Sequence, residues 1–220
     1  MVSAVDALRQ RLRERLQGTR PSPPEVVRVG GLPVELSRAY LPYLPAAFSP
    51  AAVLIPVLDR PQGLSLLLTE RAQAMRTHAG QIAFPGGRIE PGDADAVAAA
   101  LRETEEEVGL AREFVDVLGY LDDQVVISGF RVTPVVGLVR PGYSLRLDPT
   151  EVARVFEVPL DYVIDPGNHR PRRVLLGGQE LHLKDVAYEG DTIWGATGGM
   201  LITLAATLAD AAPESTHDHR

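Results

Sequence analysis

The sequence predicts an α/β fold, a sandwich of helices around a mixed β-sheet. Two observations carry that expectation. Apolar runs of strand length are mixed with two long helical patterns, and the order lacks the strict strand–helix alternation that would demand an all-parallel sheet. The 220 residues, 45% of them hydrophobic, are enough for one full-sized domain with a real core.

Each element follows from a local signal. "VDALRQRLRERL" places Val5, Leu8, Leu12 and Leu16 at helical spacing, with Arg9, Arg11, Arg13 and Arg15 between them. Asp6 and Glu14 break its basic character, so it is expected to be a helix packed on the domain rather than a transit peptide. With the linker-like "RPSPP" it forms a first segment, 1–25, ahead of a main domain at 26–212 and a polar tail at 213–220. "AAVLIPVL" and "LSLLLTE", joined by "DRPQG", read as a β-hairpin. A long Gly- and Pro-punctuated loop with short extended pieces follows, and loops this long in compact domains are usually functional. It leads into a helix at about 94–108. "VDVLGYLDD", "FRVTPVVGLV" and "VARVFEVPL" are expected strands, "RRVLLGGQELHL" a hairpin over Gly177-Gly178, and "GATGGMLITLAATLADA" a C-terminal helix.

Composition excludes several classes of function. A net charge of −7 and a pI near 5.3 give no general attraction for nucleic acid or anionic membrane, and an anionic substrate would need a local cationic site. The chain has no cysteine, which removes disulfides, thiolate metal sites and cysteine nucleophiles, and fits a reducing cytoplasm. No apolar run approaches the roughly 18 residues that span a bilayer. Oligomeric state is left open.

The acidic end of the middle helix raises the chemical question. "LRETEEEVGL" crowds Glu103, Glu105, Glu106 and Glu107 just ahead of Gly109, a helix stop signal, where the helix dipole is already negative. Glu103, Glu106 and Glu107 are spaced i, i+3, i+4 and share a face, while Glu105 points elsewhere. Val97, Leu101, Thr104 and Val108 form the expected core stripe opposite, and Ala99 keeps the acidic face uncrowded. Like-charge pairs at this spacing cost only about 0.2 to 0.5 kcal/mol each, so an isolated acidic run is ordinarily a solvated face. The alternative is a divalent cation, whose natural ligands are carboxylate oxygens.

The position of the cluster, directly after "FPGGRIEPGD", favours the cation. Here the sequence resembles the Nudix hydrolases, whose box runs G-x5-E-x7-R-E-U-x-E-E-x-G-U with U aliphatic. Gly87, Arg102, Glu103, Glu106, Glu107, Gly109 and Leu110 match it. Asp93 stands where the first glutamate is expected, with one extra residue before Arg102, and Thr104 takes the first aliphatic position. The resemblance implies a Nudix-type α/β/α sandwich, Mg²⁺ or Mn²⁺ held by Glu103, Glu106, Glu107 and the Gly87 carbonyl, and a catalytic part for Arg102 and Glu106. Three and four residues before Glu105 and Glu106, Arg102 can hold a carboxylate and limit its rotamers.

Upstream, "LLTERAQAMRTHAGQIAFPGG" is similar to the signature of the coenzyme A pyrophosphatase branch, L-L-T-x-R-[SA]-x3-R-x3-G-x3-F-P-G-G. Leu67, Leu68, Thr69, Arg71, Ala72, Arg76, Gly80, Phe84, Pro85, Gly86 and Gly87 match. "IWGATGGML" is family-like more weakly. The resemblance implies hydrolysis of the diphosphate of coenzyme A or its thioesters to 3′,5′-ADP and 4′-phosphopantetheine or its acyl derivative. Arg71, Arg76, Gly80 and Phe84 become the expected substrate-binding residues, with one or both of Arg71 and Arg76 expected at the 3′-phosphate. Arg71 could instead pair with Glu70 or a remote carboxylate, and His78 reads as a loop residue able to carry a proton. Two rival functions remain: a Nudix pyrophosphatase for ADP-ribose or a dinucleotide, and a non-catalytic nucleotide sensor. An intact carboxylate cluster argues against the sensor.

Overall fold

A computed structural model of the chain describes residues 3–73 and 79–209. Along the chain, α1 (Ala4–Leu16) is followed by β1 (Arg28–Val29), α2 (Val34–Ser37), β2 (Ser49–Arg60), β3 (Gly63–Arg71), β4 (Ile82–Ala83), β5 (Gly86–Arg88) and α3 (Ala96–Val108). Next come β6 (Val115–Tyr120), β7 (Gln124–Val125), β8 (Phe130–Val139), β9 (Val152–Pro159), α4 (Leu160–Ile164), β10 (His169–Leu176), β11 (Gln179–Tyr188), β12 (Asp191–Ile193) and α5 (Gly195–Leu208).

Among the described residues, nine strands form one mixed sheet. β2 runs parallel to β8 and antiparallel to β3, which pairs antiparallel with β9 on its other side. The central strands are covered on both faces, which explains their nearly continuous apolar runs. Ala51, Ile55 and Val57 of β2 enter one core with Leu8, Leu12 and Leu16 of α1, Leu160 and Val163 of α4, and Met200, Leu201 and Leu204 of α5. Ala52, Leu54 and Leu58 face the opposite way, against Ala96, Ala99 and Ala100 of α3. The period-2 alternation of a single strand thus makes the sandwich, with α3 on one face and α1, α4 and α5 on the other. The N-terminal helix is part of the main core, its three leucines buried there.

The expected hairpins form, β2–β3 around Pro61-Gln62 and β10–β11 over Gly177-Gly178, whose φ values of +57° and +80° suit the left-handed turn that glycine tolerates. β10, β11 and β12 make a separate three-stranded sheet beside the main one, and the short strands β1 and β7 pair in parallel at the sheet edge. Sequence periodicity showed neither. Arg131 binds Asp123 and donates to the carbonyls of Ser22, Pro23 and Pro24, so it ties down the segment after α1. Among the described residues no helix is long and apolar enough to cross a membrane.

Candidate metal and diphosphate site

The site is built where β5 meets α3. Asp95 caps the start of the helix, its carboxylate accepting from Ala98 N–H at 2.8 Å. Gly109 ends it with φ +70°, and a β-carbon there would lie 2.8 Å from Arg146 N, so the left-handed cap and the close approach both require glycine. Two carbonyls at the negative end are then satisfied by the chain crossing it: Arg146 N–H donates to Val108 O at 2.8 Å and Asp148 N–H to Glu107 O at 2.9 Å. These bonds also anchor the backbone that carries Glu107.

The core stripe expected from the helical wheel is corrected: Glu107 lies within the buried face of α3 rather than opposite it. The buried stripe of α3 is Ala96, Ala99, Ala100, Thr104, Glu107 and Val108, whereas Val97 and Leu101 are only partly covered. Alanines let the helix lie close to β2 and β5, so the stripe is rotated toward the acidic side and takes Glu107 inward. The Glu107 side chain is 3% exposed, Glu103 is 17% and Glu106 is 61%.

Each carboxylate has a distinct neighbour. Glu107 Oε2 accepts from Gly86 N–H at 3.2 Å, and its Oε1 is 3.6 Å from the Arg71 guanidinium. Glu103 lies directly over Gly87: a β-carbon on that glycine would fall 2.5 Å from both Glu103 oxygens. Arg102 is the hub. Its Nε and Nη2 donate to the two oxygens of Asp93 at 3.0 and 2.9 Å, Nη1 donates to Glu103 at 2.9 Å and Glu106 at 3.2 Å, and Nη2 also reaches Arg88 O. Asp93, standing where a glutamate was expected, is therefore the chief partner that fixes Arg102, and the hydrogen bonds from Arg102 hold its carboxyl down to about 2.

Burial dominates the electrostatics on the inward side. It pushes the Glu107 carboxyl up to about 7; the charges of Glu151 and Glu103 add to this, while Arg71 and Gly86 N–H oppose it. Burial also raises Glu103, against the pull of Arg102. Glu151 is a carboxylate that sequence reasoning missed. It lies far from the box in sequence, and only the pairing of β3 with β9 brings it here, where Ala72 N–H donates to Glu151 O at 2.8 Å.

The remaining expected residues divide. Gly80 takes φ +69° and donates its N–H to Arg71 O, closing the loop back onto β3. Phe84 is 3% exposed within the core shared with α5, which corrects its assignment as a substrate contact: it supports the loop from beneath. Arg76 and His78 lie outside the described residues. Trp194 is 42% exposed, with the Arg172 guanidinium 4.6 Å from its ring centre.

The profile of the NUDIX domain family matches residues 48–176. The chain belongs to the Nudix family. Two curated relatives, each named "Uncharacterized Nudix hydrolase NudL", cover most of it. The one from Escherichia coli K12 is 44% identical over 155 residues, 70% of this chain and 80% of the relative; that from Cronobacter sakazakii is 42% identical over 160 residues, 73% and 83%. Among solved structures, the Nudix hydrolase RenU from M. smegmatis is 25% identical with a TM-score of 0.45, over 55% of this chain and 79% of that one. The matched Nudix segment begins at β2 and ends with β10, so α1 and α5 extend the core beyond it.

Nudix hydrolases generally work with divalent metal ions, and the residues here fit one. Among the described residues no three acidic or imidazole side chains form a ready-made cation cage. A magnesium-like ion does not need one, because it is held by one or two carboxylates and completes its shell with water and substrate phosphate oxygens. The inward carboxylates disfavour each other's charge, and a cation would reverse that balance. The space over Gly87 that a side chain would fill is taken by a Glu103 carboxylate.

Two glycine substitutions separate fold from site. The nearest atoms to a Gly87→Ala β-carbon are those of the Glu103 carboxylate rather than backbone, so the substitution is expected to leave the melting temperature near wild type while displacing that carboxylate and cutting turnover by about tenfold or more. Gly86→Ala would set a β-carbon 2.5 Å from Val53 Cα at φ +153°, and is expected to destabilise the protein itself. Thermal unfolding and initial rates on both variants check the contrast.

Proposed function

We propose that the protein is a coenzyme A diphosphatase, cleaving the diphosphate of coenzyme A or its thioesters to 3′,5′-ADP and 4′-phosphopantetheine or its acyl derivative. One observation carries this reading: the two ends of the branch-like segment 67–87 converge on the carboxylate helix. At one end Arg71 faces Glu107, and at the other Gly87 lies under Glu103. That convergence supports reading the coenzyme A-branch-like segment as part of the diphosphate-cleaving site rather than a remote appendage.

Of Glu103, Glu107 and the more exposed Glu106, one or two carboxylates with the Gly87 carbonyl would hold each metal ion, Mg²⁺ or Mn²⁺. When bound it neutralises the diphosphate and supplies an activated water for its hydrolysis. The chain's own task is positioning. Arg102 spends its fork on Asp93, Glu103 and Glu106, so its role is to set carboxylate rotamers ahead of any contact with substrate. Gly86 N–H holds one oxygen of Glu107 and leaves the other beside Arg71. The adenosine 3′-phosphate, a dianion on an acidic protein, requires a local cation, and Arg76 is the proposed donor. We place the reaction in the cytoplasm, in keeping with a chain free of cysteine.

Initial rates on coenzyme A, dephospho-coenzyme A and ADP-ribose, with Mg²⁺ or Mn²⁺, test the proposal. Coenzyme A is expected to be the preferred substrate. Faster turnover of ADP-ribose would replace this reading with that of a Nudix pyrophosphatase for ADP-ribose or dinucleotides, and binding without turnover would make the domain a sensor.

A further inference from the structure

We infer that Arg71 is a positioning residue for Glu107, acting on the carboxylate helix from outside the Nudix box rather than on the 3′-phosphate. Arg71 is the last residue of β3, where the pairing with β9 shifts register. Its side chain is 22% exposed, its Nε is buried with no acceptor among the described residues, and its Nη1 lies 3.6 Å from Glu107 Oε1. The backbone on both sides is tied down: Arg71 N–H donates to Gln81 O, Gly80 N–H to Arg71 O, and Ala72 N–H to Glu151 O. The guanidinium is thus directed at the carboxylate helix.

The opposite oxygen of Glu107 accepts from Gly86 N–H at 3.2 Å. Arg71 and Gly86 therefore hold the carboxylate from its two sides, and both belong to the segment 67–87. A buried carboxylate stripped of its cationic neighbour carries an uncompensated charge and loses one of the two contacts that fix its rotamer. By this account the first arginine of the branch-like segment sets the geometry of diphosphate cleavage. Selectivity for the 3′-phosphate resides elsewhere.

The experiment has two arms. The kinetic arm rests on the coenzyme A reading and compares wild type, Arg71→Ala and Arg71→Lys on coenzyme A and dephospho-coenzyme A. Arg71→Ala is expected to lower kcat about tenfold or more on both substrates, with the Michaelis constants little changed and partial recovery in Arg71→Lys. A loss confined to coenzyme A, or one falling on its Michaelis constant, would overturn the inference. The unfolding arm needs no substrate. At pH 8 in chelator, Arg71→Ala is expected to lower the melting temperature in the wild-type background and to lower it much less in Glu107→Gln, because the uncompensated charge is gone. Equal losses in both backgrounds would reduce Arg71 to packing and also overturn the inference. If neither substrate is turned over, the coenzyme A reading fails while this arm still decides the role of Arg71.

Discussion

Glu107→Gln is expected to cut turnover by about two to three orders of magnitude and, in the same protein without metal, to raise stability at alkaline pH. The first effect follows from removing a charge that would hold the cation, a contribution of several kcal/mol to the transition state. The second follows from burial. The Glu107 carboxyl is pushed from 4.5 up to about 7, chiefly by its removal from water. The folded protein therefore binds this proton more tightly than the unfolded chain does. Stability in chelator should fall as pH rises from about 4.5 to 7, then level off, with a total penalty of about 3 kcal/mol. Urea unfolding at pH 5 and pH 8 checks this. Wild type is expected to lose stability between the two and Glu107→Gln to lose much less; a wild-type curve rising over that interval would contradict the burial argument. Added Mg²⁺ should restore wild-type stability at pH 8 and do little for the variant.

Arg102→Lys is expected to lower kcat by about tenfold to a hundredfold while moving the Michaelis constant far less. The charge survives, but a lysine ammonium cannot donate in parallel to both Asp93 oxygens and also reach Glu103 and Glu106. Asp93→Asn should reproduce part of the loss, because Asp93 is what fixes the fork. Steady-state kinetics on the two variants measures both effects. A wild-type kcat in Arg102→Lys would reduce Arg102 to a surface partner of these carboxylates.

Much of this site was legible because it depends on local chemistry. Gly109 stops α3 where a glycine after an acidic turn predicts, and the strand-length apolar runs become the core strands of a two-faced sheet. The errors lie where packing overrides side-chain size. Val97 and Leu101 looked like the core stripe because they are large, but Ala96, Ala99 and Ala100 allow closer approach to β2, and that rotation buried Glu107. Phe84 looked like a ligand contact because of its motif, yet it packs beneath the loop. Glu151 could not be found from spacing at all, since the β3–β9 pairing that delivers it is non-local. Asp93 was visible as a departure from the box, and its bidentate hold on Arg102 shows how an aspartate with one extra residue can still fix the arginine.

Metal held on the α3 carboxylates is proposed to support hydrolysis of the coenzyme A diphosphate. Mass-resolved chromatography of coenzyme A incubated with the protein, with Mg²⁺ or with chelator, tests it most directly. Equimolar 3′,5′-ADP and 4′-phosphopantetheine are expected with Mg²⁺, and intact coenzyme A in chelator. Intact coenzyme A under both conditions, or the same products at the same rate in chelator, would contradict the proposal.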